Sequence, residues 1–286
     1  MTNHPPRTGP GRRTRLTRRG RLVVLTGALL AVATAVAVPV LLLTGDDSGG
    51  GGGGEQATLV VPEGRRATQV YAAADRALSV PAGTTRKAAT GGALTLPTAA
   101  RGNPEGYLYP ATYPVGRATT PASLLSFMVN TANRRFGADR IAAGARRNGV
   151  TVYQAVTIAS IVQAEAATVA DMGKVARVVH NRLAMDMPLQ MDSTLNYALG
   201  RATLDTSHDD TKTRSPYNTY AHRGLPPTPI GNPGDAAMNA AVNPTPGHWL
   251  YFVTVADGDT RFAETYEEQR SNVREFNENR GHASGN

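Results

Sequence analysis

The 286-residue chain has no cysteine, which excludes disulfides, thiolate nucleophiles and cysteine-ligated metal sites. It also has no HExxH, no glycine-rich phosphate loop and no GxSxG, so the motifs of zinc proteases, P-loop nucleotide hydrolases and α/β-hydrolases are missing. The six histidines, at 4, 180, 208, 222, 248 and 282, show no metal-ligand spacing, and neither a metal nor a cofactor is expected. His180 lies among apolar residues of a predicted helix and reads as a packed histidine. No internal repeat is present. Acids are absent from residues 1–21, which carry seven arginines. Without those seven the chain has 23 basic residues against 22 acidic ones, so the net charge of +8 is a property of the tail. That distribution argues against a nucleic-acid-binding domain.

What is present begins with an uncharged run over residues 22–43, rich in Leu, Val and Ala. A helix needs about 20 such residues to span a bilayer. The arginines before it predict a cytoplasmic N-terminus and a single-pass protein whose catalytic part lies outside the cell membrane. A cleaved signal peptide is the competing reading, although its apolar region is usually roughly 7–15 residues. Residues 44–57, with six consecutive glycines at 49–54, read as a flexible linker. A strand is expected at 58–61 and a helix at 67–78, in a small module and connector covering 58–104. The main domain is expected over 105–278, with helices at 121–136, 139–147, 172–185 and 265–277, a strand at 250–255, and a disordered tail at 279–286. Residues 186–235 read as a long loop tract, and its polar and aromatic content favours a functional one. The fold class is α+β.

Within the main domain one residue is out of place. Glu165 ends the run 157–165, where Ile158, Ile161, Val162 and, beyond it, Val169 recur at helical spacing. A carboxyl on an apolar stripe has its charged form disfavoured, so its pKa should rise. Such a group can hold a proton near neutral pH and deliver it to a leaving group.

Several segments, in order, resemble the endolytic murein transglycosylases of the MltG (YceG-like) type. Glu105-Gly106-Tyr107-Leu108-Tyr109-Pro110-Ala111-Thr112-Tyr113 is similar to an entrance motif of that family. Ala159-Ser160-Ile161-Val162-Gln163-Ala164-Glu165 is similar to its catalytic helix. Lys174-Val175-Ala176 with Asn181-Arg182-Leu183, Leu189-Gln190-Met191-Asp192-Ser193-Thr194, Ser215-Pro216-Tyr217-Asn218-Thr219-Tyr220 and Gly224-Leu225-Pro226-Pro227 follow as in the family. The resemblance covers about residues 105–276, and Val61-Pro62-Glu63-Gly64 resembles the start of a shortened LysM-like module. It implies a membrane-anchored α+β protein with a mixed α/β YceG-like catalytic domain. The implied enzyme is a lyase that cuts nascent peptidoglycan between N-acetylmuramic acid and N-acetylglucosamine, leaves a 1,6-anhydro end and so limits strand length. Glu165 takes the place of the catalytic acid.

The resemblance also suggests that Gln190, Asp192, Thr194, Tyr197, Tyr217, Asn218 and Tyr220 bind the glycan. Implied partners are glycan strands, cell-wall synthases and division or elongation proteins, with no nucleic acid. Three departures stand out: Gln163, Ala111 and Gln269 occupy positions where the family often has acids or a histidine. The alternative reading is a non-catalytic peptidoglycan-binding scaffold of the same fold.

Overall fold

The computed structural model describes residues 57–201 and 206–284. Strand β1 (Ala57–Val60) pairs antiparallel with β2 (Thr112–Val115), placing Leu59 opposite Tyr113. Between them lie helices α1 (Ala67–Ala77) and α2 (Thr84–Thr90). Val70, Tyr71 and Ala74 recur at three- and four-residue spacing on α1 and are buried. Helix α3 (Pro121–Phe136) starts where the sequence places it. Pro121 occupies the first turn, and Thr120 accepts from the Ser123 N–H at 3.1 Å. Leu124, Leu125, Met128 and Val129 of α3 close one apolar cluster with Leu59, Val61, Val70 and Tyr113.

A second, larger cluster is built around helix α5 (Val152–Glu165), which follows α4 (Asp139–Arg147). Residues 155–162 are all buried, so most of α5 is a wrapped rod and not a helix with one apolar stripe. Around it lie α4, α6 (Met172–Ala184), α7 (Asp192–Ala198) and α8 (Asp235–Val242). Strands β3 (Tyr251–Ala256) and β4 (Asp259–Ala263) form an antiparallel hairpin under α9, which runs from Tyr266 to Ser284 and so continues past residue 277. Asn181 of α6 donates to the carbonyls of Gly247 (3.2 Å) and Trp249 (2.9 Å), pinning the approach to β3.

Two expectations are corrected. The segment 58–104 is not a separate LysM-like module. Its strand pairs beyond residue 104 with β2, its apolar residues share a cluster with α3, and Glu55–Asn286 form one compact unit. The membrane-anchored, single-pass localisation is likewise withdrawn, because among the described residues no helix is long and apolar enough to cross a membrane. The span expected at 22–43, with the tail and linker around it, lies outside the described residues. The architecture that stands is a mixed α and β fold with two small antiparallel sheets among the described residues.

Candidate active site

The end of α5 sets the site. Thr151 and Gln154 form a reciprocal cap at its start, and the helix stops at Glu165, with Ala166 already extended (φ −76°, ψ 124°). Ile158, Ile161 and Val162 are fully buried beneath it. Val169 is beyond the helix and 70% exposed, so it contributes nothing to the apolar setting expected of it. As a residue Glu165 is half-buried, at the end of the buried rod. Its Oε1 accepts the N–H of Ser193, in the first turn of α7, at 3.0 Å.

Burial pushes the Glu165 carboxyl above the usual carboxylate range. The contacts from Ser193 pull it back down, and the neighbouring Asp192 carboxylate raises it again. Among the described residues no basic side chain pairs with Glu165. The group is therefore a carboxyl biased toward holding its proton.

The residues expected to surround it fall into three sets. Asp192 and Tyr220 stand on the Glu165 side, and Gln190 lies just before α7. Tyr220 donates its hydroxyl to Asp192 Oδ1 at 2.6 Å, and the charges of Asp192 and Glu165 help raise the Tyr220 phenol, after burial. Gln190 is exposed, has a positive φ of 52° and receives Arg182 Nη1 on its Oε1 at 3.2 Å. Thr194 and Asn218 are closed off from solvent. Thr194 Oγ1 meets the Met191 carbonyl at 2.7 Å and the Thr219 hydroxyl at 2.9 Å. Asn218 Nδ2 donates to the carbonyls of Thr211 and Thr213, while its Oδ1 accepts the Tyr220 N–H. These two shape the loop that presents Tyr220. Tyr197 and Tyr217 form the third set. Their rings lie 5.0 Å apart, Tyr197 donates to Glu105 Oε2 at 3.1 Å, and Tyr217 shares a hydrogen bond with the Thr228 hydroxyl.

Four residues matter more than the sequence reading allows. Arg182 is buried and donates to the carbonyls of Leu250 (2.6 Å), Pro188 (3.1 Å) and Leu189 (2.7 Å), fixing the backbone around Gln190. Glu105 is only 3% exposed and accepts the Ala67 N–H at 2.9 Å. Its burial raises the carboxyl to about 7, against the lowering effect of Ala67, Tyr197 and Arg66. Asn232 is fully buried. Its Oδ1 accepts the Leu108 N–H at 2.7 Å, and its Nδ2 donates to the Arg65 carbonyl at 2.8 Å. Ser193 supplies the N–H on Glu165.

For Arg182 a signal was available: it follows Val175, Val178 and Val179 at helical spacing, a charge on an apolar face as conspicuous as Glu165. Gln163, where an acid is common in the family resembled, accepts the Gly234 N–H at 3.1 Å and is a structural link. His180 is buried with Nε2 at 2.8 Å from the Ala241 carbonyl, a core histidine. Among the described residues no group of three or more histidines and carboxylates could hold a metal.

Beside Glu165, sharing Ser193 with it, runs a groove of about 370 Å³ between the 62–69 segment, the end of α5 and α7.

Comparison with known proteins places this arrangement. The model of the YceG-like family matches residues 42–275. The endolytic murein transglycosylase of Bacillus subtilis (strain 168) is 37% identical over 165 residues, covering 57% of this chain and 45% of that protein. The endolytic murein transglycosylase of Streptococcus pneumoniae serotype 2 is 36% identical over 177 residues, 60% of this chain and 32% of that protein. The chain thus spans less than half the length of these curated relatives. A crystal structure of a yceG-like protein from Listeria monocytogenes superposes with a TM-score of 0.68 at 31% identity, over 75% of each chain. With the family's model matched across most of its length and the fold shared with a solved member, the chain belongs to the YceG-like family.

Proposed function

We propose that the chain is an endolytic peptidoglycan lytic transglycosylase that cuts nascent glycan strands between N-acetylmuramic acid and N-acetylglucosamine and so limits their length. The observation that carries this reading is Glu165 itself, a carboxyl held toward its protonated form, with no basic partner among the described residues, at the half-buried end of α5. Protonated Glu165 donates to the glycosidic oxygen as the C1–O bond breaks and its electron pair leaves with that oxygen. The carboxylate then takes the proton of the sugar's own C6 hydroxyl, whose oxygen bonds to C1. No water is consumed, so the reaction is a lyase reaction with a 1,6-anhydro product. Asp192 lies near enough to influence Glu165 and stabilises positive charge developing at C1.

Gln190, Asp192 and Tyr220 contact the sugar. Tyr197 and Tyr217 line its approach, and Thr194 and Asn218 position the loops. Cell-wall synthases and division or elongation proteins are proposed partners.

Purified protein incubated with sacculi is expected to release anhydro-ended muropeptides, and the Glu165→Gln variant is expected to release them about 10²–10⁴-fold more slowly. Reducing ends from the wild type would make Asp192 a water-activating base, as in the two-carboxylate glycosidases. Intact glycan binding without any product would make the chain a scaffold of the same fold.

A further inference from the structure

The groove beside Glu165 contains polar groups that the fold leaves unused. Asn196, 2% exposed, spends Nδ2 on a long 3.4 Å contact to Thr206 Oγ1 and leaves Oδ1 without a partner. The buried Ser193 hydroxyl is directed at Glu165, whose titration it lowers. Asn196 lines the groove, and a buried polar atom left unpaired in this way costs stability unless a ligand or water meets it.

Three arginines line the same groove. Arg201 is neutralised by Asp210 at 2.9 Å. Arg66 stacks over Tyr197, donates to the Arg201 carbonyl at 2.7 Å and faces Glu105. Arg65 is exposed, and its guanidinium pairs with no carboxylate among the described residues. The acid in the lining, Glu63, packs its carboxyl onto Gly234, where a Cβ would collide with it. One face of the groove therefore offers an acceptor for an amide N–H, and the other offers a free guanidinium for an anion.

We propose that this groove binds the peptide stem of the glycan, a short acidic peptide: a stem amide N–H meets Asn196 Oδ1, and a stem carboxylate meets Arg65. A bare sugar strand supplies neither the carboxylate nor the run of amides. The proposal rests on the glycan-cleaving reading of Glu165, because the groove shares Ser193 with that residue. It makes the enzyme one that reads whether its strand carries peptides.

The test separates binding from cleavage. Calorimetric titration of the full chain uses a soluble N-acetylmuramoyl peptide with a free carboxylate and the same compound with that carboxylate amidated. The wild type is expected to bind the free acid about five- to tenfold more tightly, in line with a charge-assisted hydrogen bond at a solvent-reached site. Arg65→Ala is expected to bind both forms equally, and Arg65→Lys to recover part of the difference. Equal affinity of the wild type for both forms, or an Arg65→Ala variant that still discriminates, overturns the proposal whether or not the protein is active. In cleavage assays Arg65→Ala is expected to raise KM about five- to tenfold on peptide-bearing strands with kcat unchanged, and to leave strands stripped of peptides unaffected. Failure of the wild type to cut either strand, alongside charge-dependent binding, refutes the catalytic reading and leaves the groove assignment standing.

Discussion

Replacing Glu105 with Gln isolates the energetic consequence of burying a carboxyl beside the groove. Glu105 is almost wholly buried, and its pKa is raised from 4.5 to about 7. Its Oε1 accepts from Ala67, and its Oε2 meets the Tyr197 hydroxyl. A glutamine reproduces the protonated acid, since its carbonyl serves Ala67 and its NH₂ donates to the Tyr197 oxygen. Below pH 4.5 the folded and unfolded chains both carry the proton, so wild type and variant should be equally stable. Between pH 4.5 and 7 the folded protein keeps a proton that the unfolded chain has released, so wild-type stability falls as pH rises.

By pH 8 the accumulated loss is about 3 kcal/mol relative to Glu105→Gln. For a unit of this size that corresponds to a melting temperature about 6–12 °C higher for the variant. Calorimetric or near-ultraviolet circular dichroism melts at pH 4.5 and pH 8 measure the difference directly. Other titrating groups, Glu165 included, are common to both proteins and cancel. A stability difference that stays constant across this range would refute the account of Glu105 as a carboxyl strained by burial.

Three further outcomes follow from the same geometry. Glu165→Gln should lower turnover by about 10²–10⁴-fold while leaving the fold intact, and wild-type activity should fall on the alkaline side, as a raised acid loses its proton, rather than near pH 4; rates measured across pH on purified strands check both. Arg182→Met strips donors from the Leu250, Pro188 and Leu189 carbonyls and should destabilise by about 3–5 kcal/mol in urea titrations. Gly106→Ala meets two obstacles, a φ of +86° and a new Cβ 2.6 Å from Pro229 Cγ, and should cost more than about 2 kcal/mol by the same measurement.

Much of the helical framework was legible because its signals are local. The cap and proline at 120–121 and the apolar periodicities of α3, α4 and α6 place those helices within a residue of their observed bounds. Helix α7 escapes because seven residues are too few to show a period, and its burial is decided by what packs on it. Helix α8 escapes for the opposite reason: its alanines give it no contrast between faces. Strand β4 had a readable cue in Asp257-Gly258 between two strand-forming stretches.

The site follows the same division. Glu165 could be read from position and motif, although its setting comes from the buried end of α5 and from Ser193, not from Val169. The division of the loop residues into those closed off from solvent and those left partly open depends on contacts across distant parts of the chain, which no local pattern encodes. Asn218 and Asp192 look alike as polar loop residues, yet one is sealed inside and the other is partly open.

The bonds of Asn232 have a consequence for when the protein acquires its chemistry. They join Leu108 across 124 residues and Arg65 across 167. Contacts so far apart in sequence close late, because the loop entropy must be overcome before they contribute. The Arg65 side of the groove is therefore held in place only after the segment near Asn232 has been synthesised and has docked. A chain still being made carries Glu165 but lacks this fixed wall opposite it. On the proposed reading, the capacity to cut glycan would thus arrive only with completion of the fold, so that order of assembly acts as a safeguard.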